Sequence, residues 1–212
     1  MVKQYSVLIC LVTSMILIVV ATLGYPGGSA LYKNSIGFDW SKNFLSNLFA
    51  AKAINGSENS GRIWAVIGMA FNSVGYGIFF IHMSKKISSK LWASILKYIG
   101  ATNILFIFLI ATPLHDLGTI SIVLTLLGLF AITILIMPSK LHLLKVCCVI
   151  CLLTYYVFFF VFGFGYLALA IIMQKVYIIS SMLLVLGLEY FTNYGDFAQV
   201  KQGGDEVQER KG

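Results

Sequence analysis

Two segments of the chain carry side chains of the types used in general acid–base catalysis. His115 and Asp116 are neighbours in one segment, Thr112–Gly118. Asp39 lies in the other, Phe38–Ala53. Histidine is the one side chain that titrates near neutral pH without perturbation. His115 would therefore act as the general base of a membrane enzyme on a lipid headgroup, and Asp116 or Asp39 would orient it.

The same segments could instead bind a lipid or another amphiphile without reacting with it, and this is the favoured hypothesis. Asp116 would then cap the helix that follows, and His115 would be an exposed loop residue. The candidate ligand-binding residues are Asn43, Ser46, Asn47, Asn72, Asn103 and Lys175. A third alternative is a structural role, with a membrane-protein partner or as a homo-oligomer.

The histidines do not favour a metal site or a cofactor. The topology predicted below puts His82 and His142 at one membrane face and His115 at the other, about 30 Å away. A three-histidine zinc site is therefore disfavoured. A haem held by His82 and His142 is disfavoured as well, because neither lies in the interior of a predicted span, where a buried ligand is expected. The sequence contains no P-loop, G-x-S-x-G or H-E-x-x-H motif, so we expect neither a metal nor a cofactor.

The composition is that of a membrane protein. Hydrophobic residues make up 59% and charged residues 11% of the 212 residues, whereas soluble domains carry about 25% charged residues. The apolar runs are continuous, which indicates helices and not the alternating strands of a barrel. We predict an all-α, polytopic protein with six transmembrane helices, at about 5–24, 63–83, 91–111, 119–137, 144–163 and 168–191.

These spans would form one domain over residues 1–195, followed by a disordered tail over 196–212. The turn Gly163–Gly165 would separate the last two spans.

The first span resembles a signal peptide in its basic start. Its apolar core is longer than the usual 7–15 residues, so we expect it to be retained.

The lysine and arginine pattern predicts that both termini lie on the inner side of the membrane. Short loops assigned to that side contain Lys85, Lys86, Lys90, Lys140 and Lys145. Anionic headgroups would account for the net charge of +7, and no nucleic-acid partner is expected. The predicted location is a cell membrane, crossed several times, which in a bacterial host is the inner membrane.

Segment Asp39–Ala53 has the periodicity of an amphipathic helix. At 100° per residue, its large apolar side chains share one arc and its polar side chains the other. Such a helix would lie on the membrane surface as a lid, or it would turn its polar residues inward onto a site.

Polar residues inside the predicted spans have two interpretations. Asn72 and Asn103 lie near the midpoints of adjacent spans, where they could bond each other as interhelical glue or form the floor of a cavity. Lys97 and Glu189 lie nearer the inner side and are predicted to pair or to extend toward the interface.

Three short motifs carry a resemblance to a known group. They are Phe44–Ala50, Ala70–Gly75 and Pro113–Asp116. They resemble an uncharacterised group of bacterial six-helix membrane proteins with an I-S-E-L-G-like first outer loop, an asparagine in the second span and a proline–aspartate turn after the third. Asn47 stands where that group has an acidic residue. The resemblance implies a six-helix fold and a membrane location.

Overall fold

The computed structural model describes residues 5–110 and 118–201, and the side-chain surroundings of 5–105 and 120–198. Over these residues the chain forms six α-helices and no β-strand. The helices are α1 (Ser6–Leu23), α2 (Arg62–Lys86), α3 (Lys90–Ile110), α4 (Gly118–Ile136), α5 (His142–Gly163) and α6 (Leu167–Phe191). Their bounds follow the apolar runs closely, because backbone in an apolar surrounding must bond within its own helix.

Four of these helices, among the described residues, are long and apolar enough to cross a membrane. They are α1, α2, α5 and α6, with lengths of 18, 25, 22 and 25 residues. Their outer surfaces carry large apolar side chains such as Leu183 and Ile16, which are more than half exposed. A surface of this kind is compatible with lipid as the surrounding solvent.

Consecutive helices pack as hairpins whose close contacts depend on glycine. A Cβ atom at Gly68 or Gly75 of α2 would lie 3.1 Å from an α1 side-chain carbon. At the α2–α3 contact, a Cβ on Gly100 would lie 2.7 Å from the carbonyl oxygen of Gly77. Small residues allow such close approach of two backbones, so α2 lies tightly between α1 and α3.

The main core lies around α2, where it meets the helices that follow. Phe79, Phe80 and Met83 are fully buried there. A Cβ on Gly128 of α4 would meet the Phe80 ring, so this glycine makes room for an aromatic side chain. The remaining core residues come mainly from the facing sides of α3, α4, α5 and α6.

The first loop, residues 25–61, is folded, but the amphipathic helix predicted over Asp39–Ala53 does not form. In its place are turns and a short 3₁₀ helix, Leu45–Phe49. Asn43, predicted on the polar arc of that helix, is fully buried. Its Nδ2 donates to the carbonyl oxygen of Gly28 at 2.7 Å, and its Oδ1 accepts from the backbone N–H of Asp39 at 3.0 Å. Bonds from an asparagine side chain to the backbone compete with helix formation.

A second asparagine and a small core complete the first loop. Asn59 donates to the carbonyl oxygens of Leu48 and Ala50, each at 3.0 Å. Leu48 packs with Tyr25 and with helix residues of α1 and α2. Gly28 has a φ of +81°, and a Cβ there would lie 2.8 Å from the backbone carbonyl carbon of Ile54. The loop is therefore a compact unit seated on the bundle.

The two ends of the bundle differ. The first loop covers one end, which we call the loop end. At the opposite end, the Tyr5 and Tyr190 rings pack 6.3 Å apart, so α1 begins where α6 finishes. A 3₁₀ helix, Tyr194–Lys201, follows α6, and Phe197 is fully buried. Folded structure thus continues past the predicted boundary at 195, and the rest of the predicted tail, 202–212, lies outside the described residues.

The predicted Lys97–Glu189 pair is wrong. Glu189 contacts His82 of α2, with Nδ1 and Oε1 2.6 Å apart. Lys97 is exposed on the surface of α3. Position along the chain indicated how deep both charges lie in the bundle, but not which way each helix face turns, and the face of α2 that meets α6 carries His82 toward Glu189.

Candidate ligand-binding cavity

A cavity of about 290 Å³ lies beneath the first loop, between α1, α2, α4, α5 and α6. Its lining is mainly apolar, with hydroxyl and amide groups at several depths. The lining residues are Ser14, Met15, Ile18, Leu45, Ser46, Phe49, Met69, Asn72, Ser73, Tyr76, Ser121, Ile122, Thr125, Tyr155, Gln174, Tyr177, Ile178, Ser181 and Met182.

The first loop supplies the part of the lining that we call the roof: Leu45, Ser46 and Phe49. Two consecutive residues of α6 hold this roof in place. The Gln174 side-chain oxygen accepts from the backbone N–H of Leu45 at 2.7 Å, and the Lys175 ammonium donates to the carbonyl oxygen of Asn43 at 2.8 Å. The loop backbone is thus fixed on both sides of Phe44.

The part of the lining that lies farthest from the roof is rich in hydroxyl groups, and we call it the floor. Tyr76 and Ser181 lie about 20 Å along α2 and α6 from the loop end, at about 1.5 Å per residue. Their oxygens are 2.7 Å apart. Ser181 Oγ also lies 2.9 Å from the carbonyl oxygen of Ile178, to which it can only donate, and we therefore assign the Tyr76 hydroxyl as the donor to Ser181. The rings of Tyr155 and Tyr177 pack 4.5 Å apart beside them.

Asn72 lies between roof and floor. Among the described residues its amide has a single weak contact, from Nδ2 to the Met69 sulfur at 4.0 Å. Asn72 lines the cavity beside the buried Ser73. An amide with unused donors and acceptors in an apolar bundle is a natural contact for a polar group on a ligand.

Asn103 does not bond Asn72, contrary to the sequence expectation. It is fully buried, donates to Thr125 at 3.2 Å and accepts from Ser121 at 2.7 Å. Asn103 therefore ties α3 to α4 as interhelical glue. Since both of its partners line the cavity, it also fixes the orientation of that wall.

Asp39 is committed to the first loop. Its carboxylate accepts from the backbone N–H of Ser41 at 2.8 Å and from the Ser41 hydroxyl at 2.6 Å, and it pairs with Lys42 at 3.0 Å. The Ser41 hydrogen bonds and the lysine lower the pKa of Asp39 to about 2. A carboxylate so stabilised is a weak base at neutral pH, and Asp39 is not part of the cavity lining.

The other predicted site residues divide into four groups. Ser46 and Asn72 line the cavity. Asn43 and Lys175 hold the roof, as described above. Asn47 lies in the 3₁₀ helix with its Oδ1 buried and without a partner among the described residues. His115 and Asp116 lie outside the described residues, so the proposed catalytic base remains a prediction.

Three comparisons with known proteins found nothing similar: no protein-family model, no curated protein and no solved structure matches the chain. The resemblance to the uncharacterised bacterial group therefore stays a prediction. What the cavity can bind has to follow from its own residues.

Several lining residues were not among the sequence candidates, although the sequence carries a signal for them. Gln174, Tyr177 and Ser181 recur at intervals of three and four along α6, so they share one helix face. Tyr76 lies four residues after Asn72 on α2. Polar side chains that recur at helical spacing within an apolar run indicate a face turned away from lipid.

Replacing Lys175 with methionine should loosen the first loop without unfolding the bundle. The change removes charged hydrogen bonds to Asn43 and to the carbonyl oxygen of Ile171, each worth about 1.5–3 kcal/mol. Amide hydrogen exchange measured by mass spectrometry should speed up about tenfold or more within 39–49. The control Lys52→Met removes an exposed lysine that lies 4.0 Å from Glu58, and it should leave these rates unchanged. Equal rates in both variants would contradict the role of Lys175.

Proposed function

We propose that this chain is a six-helix membrane protein that binds a lipid or another amphiphile in the cavity beneath the first loop. Both termini would face the inner side of a cell membrane, and the first loop would face outward. Helices α3 and α4 would complete the six spans. The basic residues at the opposite end of the bundle support this orientation, since the helix ends with Lys85, Lys86 and Lys90 and the turn with Lys140 lie there.

The cavity itself carries the proposal. Its volume of about 290 Å³ is close to the lower bound of small-molecule sites, about 300 Å³. Apolar side chains surround a few separate hydroxyl and amide groups, which is the usual chemistry of a pocket for an amphiphile. The roof is built from a loop held by Gln174 and Lys175, so an occupant is covered from the loop end.

Binding without reaction is supported over headgroup catalysis by the chemistry of the described lining. Its titratable side chains are the three tyrosines of the floor. Tyrosine has an unperturbed pKa of about 10, so it is neutral at physiological pH. Asp39, one of the proposed catalytic residues, serves the first loop.

The test is mass spectrometry of the lipids that co-purify with the protein in a mild detergent. Ser46→Trp should fill the roof of the cavity and lose a specific lipid that the unmodified protein enriches over bulk membrane. Ser57→Trp adds the same side chain at an exposed position of the same loop that does not line the cavity, so it should keep that lipid.

Two results would change the conclusion. If neither the unmodified protein nor Ser57→Trp enriches any lipid over bulk membrane, the binding proposal is wrong. If a precursor lipid accumulates only on a His115→Ala variant, and the unmodified protein converts that lipid to a chemically altered form, the protein is an enzyme acting on it.

A further inference from the structure

We infer that the amphiphile bound in this cavity has an uncharged head carrying a hydroxyl or carbonyl group, and that this head lies at the floor. The inference rests on the proposed function and specifies the ligand class. It also reverses the orientation that an outward-facing polar site would imply, since the polar head enters first and the apolar chain points toward the roof.

The floor offers both a donor and an acceptor. The Tyr76 hydroxyl gives its hydrogen to Ser181, which leaves the Tyr76 oxygen able to accept. Within the described residues the Tyr177 hydroxyl has no hydrogen-bond partner, and its side chain lines the cavity, so it is able to donate. An alcohol can satisfy both groups at once, and a carbonyl can satisfy the donor.

Charge is absent from the described lining, although charged residues lie nearby. Lys175 follows the lining residue Gln174 directly, but its ammonium donates to carbonyl oxygens of Asn43 and Ile171. Asp39 is held by Ser41 and Lys42. Neither charged group belongs to the described lining, so an ionic head at the floor would have no counter-charge in contact with it, and an ion moved from water to an unpaired buried site loses several kcal/mol of hydration.

The apolar part of the lining suits a flexible chain. Met15, Met69 and Met182 come from three different helices, and methionine side chains adapt to irregular shapes because they are unbranched. The roof residues Leu45 and Phe49 add apolar surface at the other end. The chain of an amphiphile whose head is at the floor would lie among these side chains.

The experiment compares three probes of equal chain length by native mass spectrometry of the full-length protein. The probes are tetradecanol, the carboxylate myristate and the cation tetradecyltrimethylammonium, at about pH 8, where a carboxylate of pKa near 4 is ionised. We expect the alcohol to bind more than about tenfold more tightly than either ion.

The Tyr177→Phe variant should weaken alcohol binding about three- to tenfold. The control Tyr98→Phe alters an exposed tyrosine on α3 and should have no effect.

Each outcome has a defined meaning. Equal or tighter binding of either ion would overturn the inference and leave the proposed function standing. If no probe binds, the class of the lipid lost from Ser46→Trp decides: an uncharged lipid supports the inference and a charged lipid overturns it. If Ser46→Trp loses no lipid either, the proposed function itself fails. The three-probe comparison on the unmodified protein keeps the test valid even if Tyr177→Phe folds poorly.

Discussion

Replacing Gly100 with leucine is expected to force α3 away from α2 and to lower the free energy of unfolding by about 3 kcal/mol. A Cβ at this position would lie 2.7 Å from the carbonyl oxygen of Gly77 and 3.1 Å from the Cβ of Phe80. A backbone oxygen within a helix cannot rotate aside as a side chain can. The helices must therefore separate, and the contacts around the buried Phe80 are disturbed with them.

The measurement is the apparent melting temperature of the purified protein in detergent, which should fall by several degrees, at about 2–4 °C per kcal/mol for a chain of this size. Gly163→Leu is the matched control, because in the described part of the chain no atom beyond its chain neighbours and its own helix backbone lies within 4 Å of a Cβ there. Glycine is a poor helix former, so the control should lose nothing and could gain slightly. If both variants have the same apparent melting temperature as the unmodified protein, α2 and α3 are not in the close contact described above.

The helices were predictable because their determinant is local. An apolar run of about 20 residues has few alternatives to a helix in lipid. The break between the last two runs was equally visible: α5 ends at Gly163, and Gly165 has a φ of +77°, which glycine adopts at little cost. That helix break is confirmed, whereas the number of membrane crossings rests on the proposal.

The first loop was not predictable, because the interactions that shape it are not local. Periodicity over Asp39–Ala53 describes only neighbours along the chain. The observed structure depends on Asn43 bonding Gly28 and on Lys175 and Gln174 reaching the loop from a distant helix. Such bonds outweigh a weak helical preference, and the window Asp39–Ala53 contains neither Gly28 nor the two α6 residues.

The residues that line the cavity could be predicted from the sequence only in part. Asn72 and Ser46 were proposed for a site, and both line the cavity. The aromatic residues of the fifth run look alike in sequence, but Tyr155 is buried at the floor whereas its neighbour Tyr156 is 65% exposed. Which face of α5 turns inward depends on the packing of α6 and α4 against it, and the uniformly apolar run contains no signal for that choice.

Replacing His82 with leucine is expected to destabilise the end of the bundle opposite the first loop. Glu189 is 8% exposed, and its Oε1 lies 2.6 Å from Nδ1 of His82. Its second oxygen, Oε2, is buried without a partner among the described residues. Without His82, the buried carboxylate would keep no side-chain hydrogen bond among the described residues, and the Lys86 ammonium, 2.7 Å from the Glu189 backbone carbonyl oxygen, would remain as a positive charge nearby. Breaking a buried pair costs about 3–5 kcal/mol; we expect about 3, because His82 is 31% exposed and water can enter.

A double variant separates the loss of a partner from a loss of packing. His82→Leu with Glu189→Leu removes both polar groups, and such apolar replacements are often neutral or stabilising. We therefore expect its apparent melting temperature to recover most of the loss caused by His82→Leu alone. His142→Leu changes an exposed histidine and should have little effect. If the double variant is less stable than the single one, the pair makes a net contribution to α2–α6 packing beyond satisfying Glu189.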